Sequence, residues 1–364
     1  MKILFLFPYP HGTAASQRFR FEQYLDFLRE EGITCRLEPF WDAETWKILY
    51  KPGHVFQKAK GIAKGVWYRC KILFSMPHYD FVFIHREAAP VGPPVFEWII
   101  AKVLRKRIIF DFDDAIWLPN TSKQNKVAAR LKWHSKTKSI CRWAWRISAG
   151  NKYLADRGLE FRHNSAIRNP QSAIFTIPTT IDTQNLHNRV KDQQTGDFVI
   201  GWTGTHSTIS YLEPLVPVLQ KLEKEWGFTF LVISDQEPAF TLRSLLYVPW
   251  NKATEMDDLL RMNIGLMPLA DDAWSQGKCG FKALQYMALG IPALASPVGV
   301  NTDIVQHGEN GFLCRTPADW ENSILEMMQT PARRQRMGQA ARRTVEERYS
   351  VTANRRIFRG LFTA

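Results

Sequence analysis

Short apolar runs recur along this chain, spaced so that a helix fits between many of them. KILFLF (2–7), FVFI (81–84), RIIFDF (107–112) and AIFTI (173–177) stand in the first half, and DFVIGW (197–202), FTFLVI (228–233), NIGLMPL (263–269) and IPALAS (291–296) in the second. Runs this short and this continuously apolar suit strands covered on both faces, the condition of a parallel sheet flanked by helices. Between them, Ser16–Glu31 carries Phe19, Tyr24, Phe27 and Leu28 at helical spacing, and Ile209–Trp226 reads as a second long helix. At HNRVKDQQTG (187–196) apolar residues almost vanish, which predicts a linker over 188–196. The expectation is an α/β chain with two doubly wound domains, 1–187 and 197–345, and a C-terminal helix (346–364) that would cross back to the first domain.

The 364 residues suffice for two cores, and no apolar run approaches the roughly 18–20 residues that cross a bilayer. The five cysteines are scattered without a CxxC pair, which predicts a reduced, cytoplasmic protein lacking disulfides and structural zinc. The net charge of +13 is uneven: residues 1–190 hold 30 Lys+Arg against 16 Asp+Glu, whereas 191–364 hold 18 against 19. An anionic surface or partner is therefore expected to meet the first half.

In doubly wound domains ligands bind beyond the carboxyl ends of the strands, so the loops there hold the candidate residues. GKCGFKALQ (277–285) is one of them. Its glycines permit close backbone approach, and the helix starting near Gly280–Phe281 offers unpaired N–H groups. Lys278 and Lys282, four apart, can face one anion from that first turn; the alternative is a pair of solvated helix-start lysines. Gln285, one turn on, can trade hydrogen bonds with ribose hydroxyls.

FKALQYMALGIPALASPVGVNTDIVQHGENGFLC (281–314) resembles the donor-site segment of the family 4 (group 1) glycosyltransferases. That family has the GT-B fold, two facing Rossmann-like domains with a cleft between them. Its segment usually carries Glu, seven residues, a second Glu, then Ala-Met-Ala, and later Glu-Ile-Val before Gly-x-Asn-Gly. Aligned on Met287-Ala288, Gly277 and Gln285 take the places of the two acids, and Asp303 that of the later Glu. IPTTID (177–182) resembles the family's Ile-Pro-Asn-Gly-Val-Asp, and GENGFL (308–313) its Gly-x-Asn-Gly turn. The family's basic pair after the first strand of the second domain is absent from GWTGTHSTISYL (201–212). The resemblance then implies that Lys278 and Lys282 have taken over the pyrophosphate. Gly201, Gly204, Thr205 and Gly12 would contribute backbone N–H groups or close approach, and Asp271 or Asp272 would hold the sugar.

A second cluster is IIFDFDDAIW (108–117), with three carboxylates at the end of a strand. Asp111 and Asp113 alternate with Phe112 and should project to one side. The open readings are acceptor binding, a general base, a manganese site at Asp111/Asp113, or capping of a following turn. Aligned on the strand, a family His-Asp step falls on Asp113-Asp114, which makes these two the candidate catalytic residues. Arg18, Arg86 and Glu87 are candidates for the acceptor; Arg86 and Glu87 would otherwise pair with each other.

Thr45–Tyr79 contains no acid but seven Lys/Arg, and Val55, Ala59, Ile62, Val66, Cys70 and Leu73 recur on one helical face. Ala115–Ala155 is again free of acids, with eight Lys/Arg between Lys123 and Arg146 and three tryptophans among them. Residues 47–71 and 123–146 are therefore expected to meet an anionic membrane surface, or else to present a solvated basic face. No nucleic-acid module is recognised, so RNA or DNA is not an expected partner. The expected activity is retaining transfer of a sugar from a nucleotide diphosphate-sugar to a glycan or lipid-linked acceptor, in polysaccharide or glycolipid biosynthesis. No cofactor or metal would be required, and the protein would sit at the inner face of the plasma membrane. A sugar-nucleotide epimerase of the same fold and a non-catalytic binding homologue are the alternatives.

Overall fold

The computed structural model describes residues 1–119, 133–162, 173–194 and 196–363, which form two compact units. The first takes Met1–Thr179 and Arg355–Ala364, the second Thr180–Asn354. Each is built on a six-stranded parallel sheet.

The first sheet contains β1 (Lys2–Phe7), β2 (Thr34–Pro39), β3 (Phe81–His85), β4 (Arg107–Phe112), β5 (Arg146–Ala149) and β6 (Ile174–Thr176), in the order β2-β1-β3-β4-β5-β6. The second contains β7 (Val199–Thr203), β8 (Thr229–Ser234), β9 (Leu245–Pro249), β10 (Ile264–Met267), β11 (Ala293–Ala295) and β12 (Gly311–Leu313), in the order β12-β11-β10-β7-β8-β9. The chain therefore reverses direction across the sheet between β1 and β3 in one unit and between β7 and β10 in the other. At such switch points the loops diverge and leave a crevice for a ligand.

β2, β5, β9 and β12 are missing from the apolar runs read in the sequence. β2, β9 and β12 are edge strands, and β2 and β9 are only partly covered, so neither needs a continuous apolar string. β5 is interior but only four residues long.

The helix expected over 16–31 is broken into α1 (Ala15–Arg18), a 3₁₀ turn (Glu22–Tyr24) and α2 (Leu25–Glu30). Gln17, Arg18, Phe19, Arg20 and Phe21 are all buried, and five consecutive positions cannot lie on one face of a regular helix. Ile209–Trp226 likewise divides into a 3₁₀ segment (Ile209–Leu215), with Pro214 inside it, and an α-helix (Val216–Glu225) that has a proline in its first turn.

The polar stretch 188–196 is not a free linker. Gln193 is fully buried in the second unit, donating to the carbonyls of Asn263 and Gly290 and accepting from Arg334. That one polar side chain pairs with buried backbone, while Asn188, Arg189, Asp192 and Gln194 are exposed. At the other end, Phe358 and Phe362 complete the core of the first unit: Phe358 stacks on Tyr24 at 4.2 Å, and Phe362 lies 6.3 Å from Phe5.

The buried carboxylate of Asp111, at the end of β4, ties the first sheet together. It accepts from Arg20 Nη2 at 2.5 Å and from Ser148 Oγ of β5 at 2.6 Å, and His85 Nδ1 of β3 lies 2.7 Å away. Arg20 also donates to the carbonyl of Ile177, just beyond β6. Burial alone would raise the Asp111 pKa, but the Arg20 charge and the His85 hydrogen bond hold it well below the usual carboxylate range.

The region 43–75 forms α3 (Ala43–Ile48) and α4 (Val55–Ser75). The apolar face that recurs in the α4 sequence is not the one packed on the core. Gly61, Gly65, Arg69 and Ile72 turn inward, while Val55, Val66 and Cys70 are exposed. Glycine is required at the contact, because a Cβ at Gly61 would collide with Thr45 and one at Gly65 would fall 2.7 Å from the Phe40 ring. Arg69 is a buried cation held by carbonyl oxygens: Ala88 at 2.7 Å, Glu38 at 3.0 Å and Phe7 at 3.2 Å. Burial brings its pKa down to about 10.

Two stability measurements follow. Asp111→Asn leaves Arg20 without its counter-charge in a dry site, and should cost about 3–5 kcal/mol in a denaturant titration. Because the folded pKa of Asp111 is depressed, the wild-type contribution should be complete above the normal carboxylate range and disappear only in strong acid. Gly338→Ala should lower stability by about 1–3 kcal/mol although alanine is the better helix former, since a Cβ there would collide with the Gly290 carbonyl.

Candidate functional site

In the second unit the crevice between β7 and β10 is bordered by the loops that follow those strands. The loop after β10 leads through a short helix (Ala273–Gln276) to Gly280, which caps the helix Phe281–Ala288 with a left-handed φ of 69°. A side chain at Gly280 would be strained and would also collide with Ile304, so the tight approach to this helix start depends on glycine. No acidic residue occupies its first turn. Lys282 Nζ stands 5.6 Å from the centre of the Trp202 ring, and Lys278 Nζ 5.1 Å from that of Trp274. Trp202 links this turn to the loop after β7, because a Cβ at Gly204 would collide with the same ring. Lys282 and the Gly204 loop thus share one patch around Trp202, at the carboxyl end of β7.

Several backbone groups expected to bind phosphate are committed elsewhere. The Gly204 N–H bonds the Ile233 carbonyl, and that of Thr205 bonds Thr208 Oγ at 3.2 Å. Gly201 lies within β7, where it makes room for Met262. In the first unit, Gly12 does adopt a left-handed φ of 75°, but its N–H points at the Glu22 carboxylate at 2.9 Å. Burial raises the pKa of that carboxyl. The N–H groups of Gly12, Gly204 and Thr205 thus already have partners within their own folded units.

The candidates for the sugar and ribose are equally particular. Asp272 caps the helix Ala273–Gln276 by accepting the Ser275 N–H at 2.7 Å, and Asp271 accepts from Gln276 Nε2 at 2.7 Å. Asp303 is exposed; its N–H donates to the Val300 carbonyl at 3.0 Å and its carbonyl accepts from the Tyr349 hydroxyl at 3.4 Å. Gln285 is 1% exposed, not at the surface as a ribose ligand would require, and its amide nitrogen is buried without a partner. The same holds for Asn301 Oδ1, which the sequence reading did not single out.

In the first unit the loops after β3 and β4 meet. Arg86, with a left-handed φ of 61°, donates Nε to Asp113 at 2.7 Å and Nη2 to Asp114 at 2.6 Å. All three side chains remain 11–18% exposed. Arg86 and Glu87 do not pair with each other; Glu87 pairs with Lys136 at 2.5 Å, and Lys136 also donates to the Ala89 carbonyl. Asp111 does not join Asp113. Its oxygens are taken by Arg20, Ser148 and His85 at 1% exposure, so it neither reaches an acceptor nor shares a cation with Asp113. Arg18 is also buried, its guanidinium 5.0 Å from the Phe19 ring. Tyr9, Trp133, His134 and Lys136 border a shallow depression beside Arg86 and Glu87. Tyr9 meets the other three only through the fold.

Within the basic stretch 123–146, residues 123–132 lie outside the described part. In the described remainder, Lys136 is buried and Arg146 stacks on Trp145 at 4.0 Å while donating to the carbonyls of Gly360, Leu361 and Thr363, whereas Trp133, Lys138 and Arg142 are exposed. Among the described residues, no helix is long and apolar enough to cross a membrane.

A family model described as glycosyl transferases group 1 matches residues 247–344. No curated protein matches the chain. Among solved structures, the Anabaena protein HepE in complex with UDP is 16% identical, covering 99% of each chain with a TM-score of 0.62. Sucrose-phosphate synthase from Thermosynechococcus elongatus is 14% identical, covering 100% of this chain and 99% of its own, with a TM-score of 0.68. A glycosyltransferase from Rickettsia africae is 13% identical over 99% of this chain and 97% of its own, also at 0.68. Residues 247–344 thus match the group 1 glycosyl transferase model, on a chain whose two parallel sheets have the GT-B fold of these solved structures.

Proposed function

We propose that the chain is a retaining glycosyltransferase that moves a sugar from a nucleoside diphosphate donor to a glycan or lipid-linked acceptor. The observation that carries this reading is the lysine pair at the glycine-capped start of the helix Phe281–Ala288, in the family-matched segment and beside the β7–β10 switch point. Departure of the diphosphate develops negative charge, and two ammonium groups with a helix N-terminus are suited to receive it. With the lysines as counter-ions, transfer needs no metal in this reading. The structures of HepE with UDP and with UDP-glucose make a uridine diphosphate sugar the first donor to test.

At the acceptor end, Asp113 and Asp114 would orient the attacking hydroxyl, with Arg86 fixing both carboxylates. Asp113 accepts from Arg86 Nε at 2.7 Å and Asp114 from its Nη2 at 2.6 Å. Arg86, Asp113 and Asp114 come from two loops that converge only in the folded unit, and their partial exposure suits contact with a substrate.

Two measurements test this. Lys278→Ala/Lys282→Ala should weaken UDP binding by about 10–100-fold in calorimetry, the range expected for losing charge-assisted contacts. Unchanged affinity would remove the phosphate assignment, and a full panel of nucleotide sugars that fails to raise the melting temperature would remove the enzyme reading. Asp113→Asn/Asp114→Asn should leave UDP affinity within about twofold while lowering transfer by about 10²–10⁴-fold.

A further inference from the structure

The outer face of α4 is the largest feature that sugar transfer leaves unexplained. At 100° per residue, Phe56, Trp67 and Phe74 fall within about 20° of one line along the helix, and they span about 27 Å of its axis. They are 81%, 67% and 85% exposed. The buried stripe of Gly61, Gly65, Arg69 and Ile72 lies on the opposite side, about 140–220° away. It cannot exchange places with the aromatic line, because its two glycines and the Arg69 carbonyl contacts admit only this rotation.

The two flanks of the aromatic line differ. Exposed Lys60 and Lys71 lie about 40–60° to one side. Ala59, Val66 and Cys70 lie exposed on the other. Lys64 is held by Asp42 Oδ2 at 2.7 Å, and Asp42 also caps α3 through the Thr45 N–H, which fixes the two helices together. No acidic residue occurs from Thr45 to Tyr79.

We propose that this face lies flat on an anionic lipid bilayer, with Phe56, Trp67 and Phe74 entering the headgroup–acyl boundary and Lys60 and Lys71 meeting anionic headgroups. A single row of large rings beside a row of ammonium groups, on a helix too polar to insert across a membrane, is the arrangement of an interfacial helix. A second copy of the same face would bring rings but no counter-charge, since neither copy offers an acid there. Binding is read without turnover, so the surface and the transfer reaction succeed or fail separately.

The test is co-sedimentation of the whole chain with vesicles of phosphatidylcholine alone and of phosphatidylcholine mixed equally with phosphatidylglycerol. Wild type should bind the mixed vesicles, bind the neutral ones at least about tenfold more weakly, and be released by salt. Phe56→Ser/Trp67→Ser/Phe74→Ser should abolish binding, and Lys60→Gln/Lys71→Gln should reduce it about 30-fold. All five positions are exposed, and unchanged melting temperatures would confirm that the variants fold. No binding to mixed vesicles, or binding that both variants retain, overturns the proposal. A dimer in light scattering that the triple serine variant dissociates overturns it as well, since a second copy would then cover the face.

Discussion

The first unit depends on one buried charge. The Asp111 carboxylate draws hydrogen bonds from β3, from β5 and from Arg20, and Arg20 reaches on to the residue after β6. Parallel strands all finish at the same edge of the sheet, so the residues at their carboxyl ends gather along one rim. A lone carboxylate there would be costly, and a lone guanidinium equally so; together, with a serine and a histidine, each satisfies the other. The clamp also explains the broken helix over 16–31: bringing Arg20 to the rim while burying Phe19 and Phe21 is incompatible with one regular turn after another.

With that rim fixed, the neighbouring loops are free to carry chemistry. Arg86 follows β3 by one residue, and its backbone N–H bonds the Asp111 carbonyl. The clamp therefore sets the position from which Arg86 reaches Asp113 and Asp114. The buried acid and the two partly exposed acids sit within four residues of each other, and the fold gives them different surroundings. The second unit reaches a comparable arrangement with glycine and tryptophan in place of a buried charge pair: Gly280 sets the helix start, and Trp202 underlies both Lys282 and the Gly204 loop.

Much of this was legible in advance for physical reasons. Strands buried on both faces must be apolar throughout, so β1, β3, β4, β7, β8, β10 and β11 could be read directly, whereas edge strands such as β2 and β9 could not. The Gly-Lys-Cys-Gly helix start was visible as a motif. What a sequence cannot display is which donors a loop has already spent: the N–H groups of Gly12, Gly204 and Thr205 are all engaged locally, and Asp111 is separated from Asp113 by partners 91 and 37 residues away along the chain. The apolar spacing along α4 does not mark its buried face, for a related reason. Apolar residues at helical spacing normally face the core, but here the close approach to Phe40 and Thr45 admits only glycine, and the larger apolar side chains are left outside.

The helix that carries Lys282 also carries Tyr286 one turn later, and that tyrosine is fully buried. Its hydroxyl accepts the Thr203 N–H of β7 at 2.9 Å and lies 3.4 Å from the Leu266 carbonyl of β10. The helix is thus riveted to both strands that border the switch point. A tilt of this helix would break both hydrogen bonds, so the position of the Gly280 helix start is tied to the central seam of the sheet.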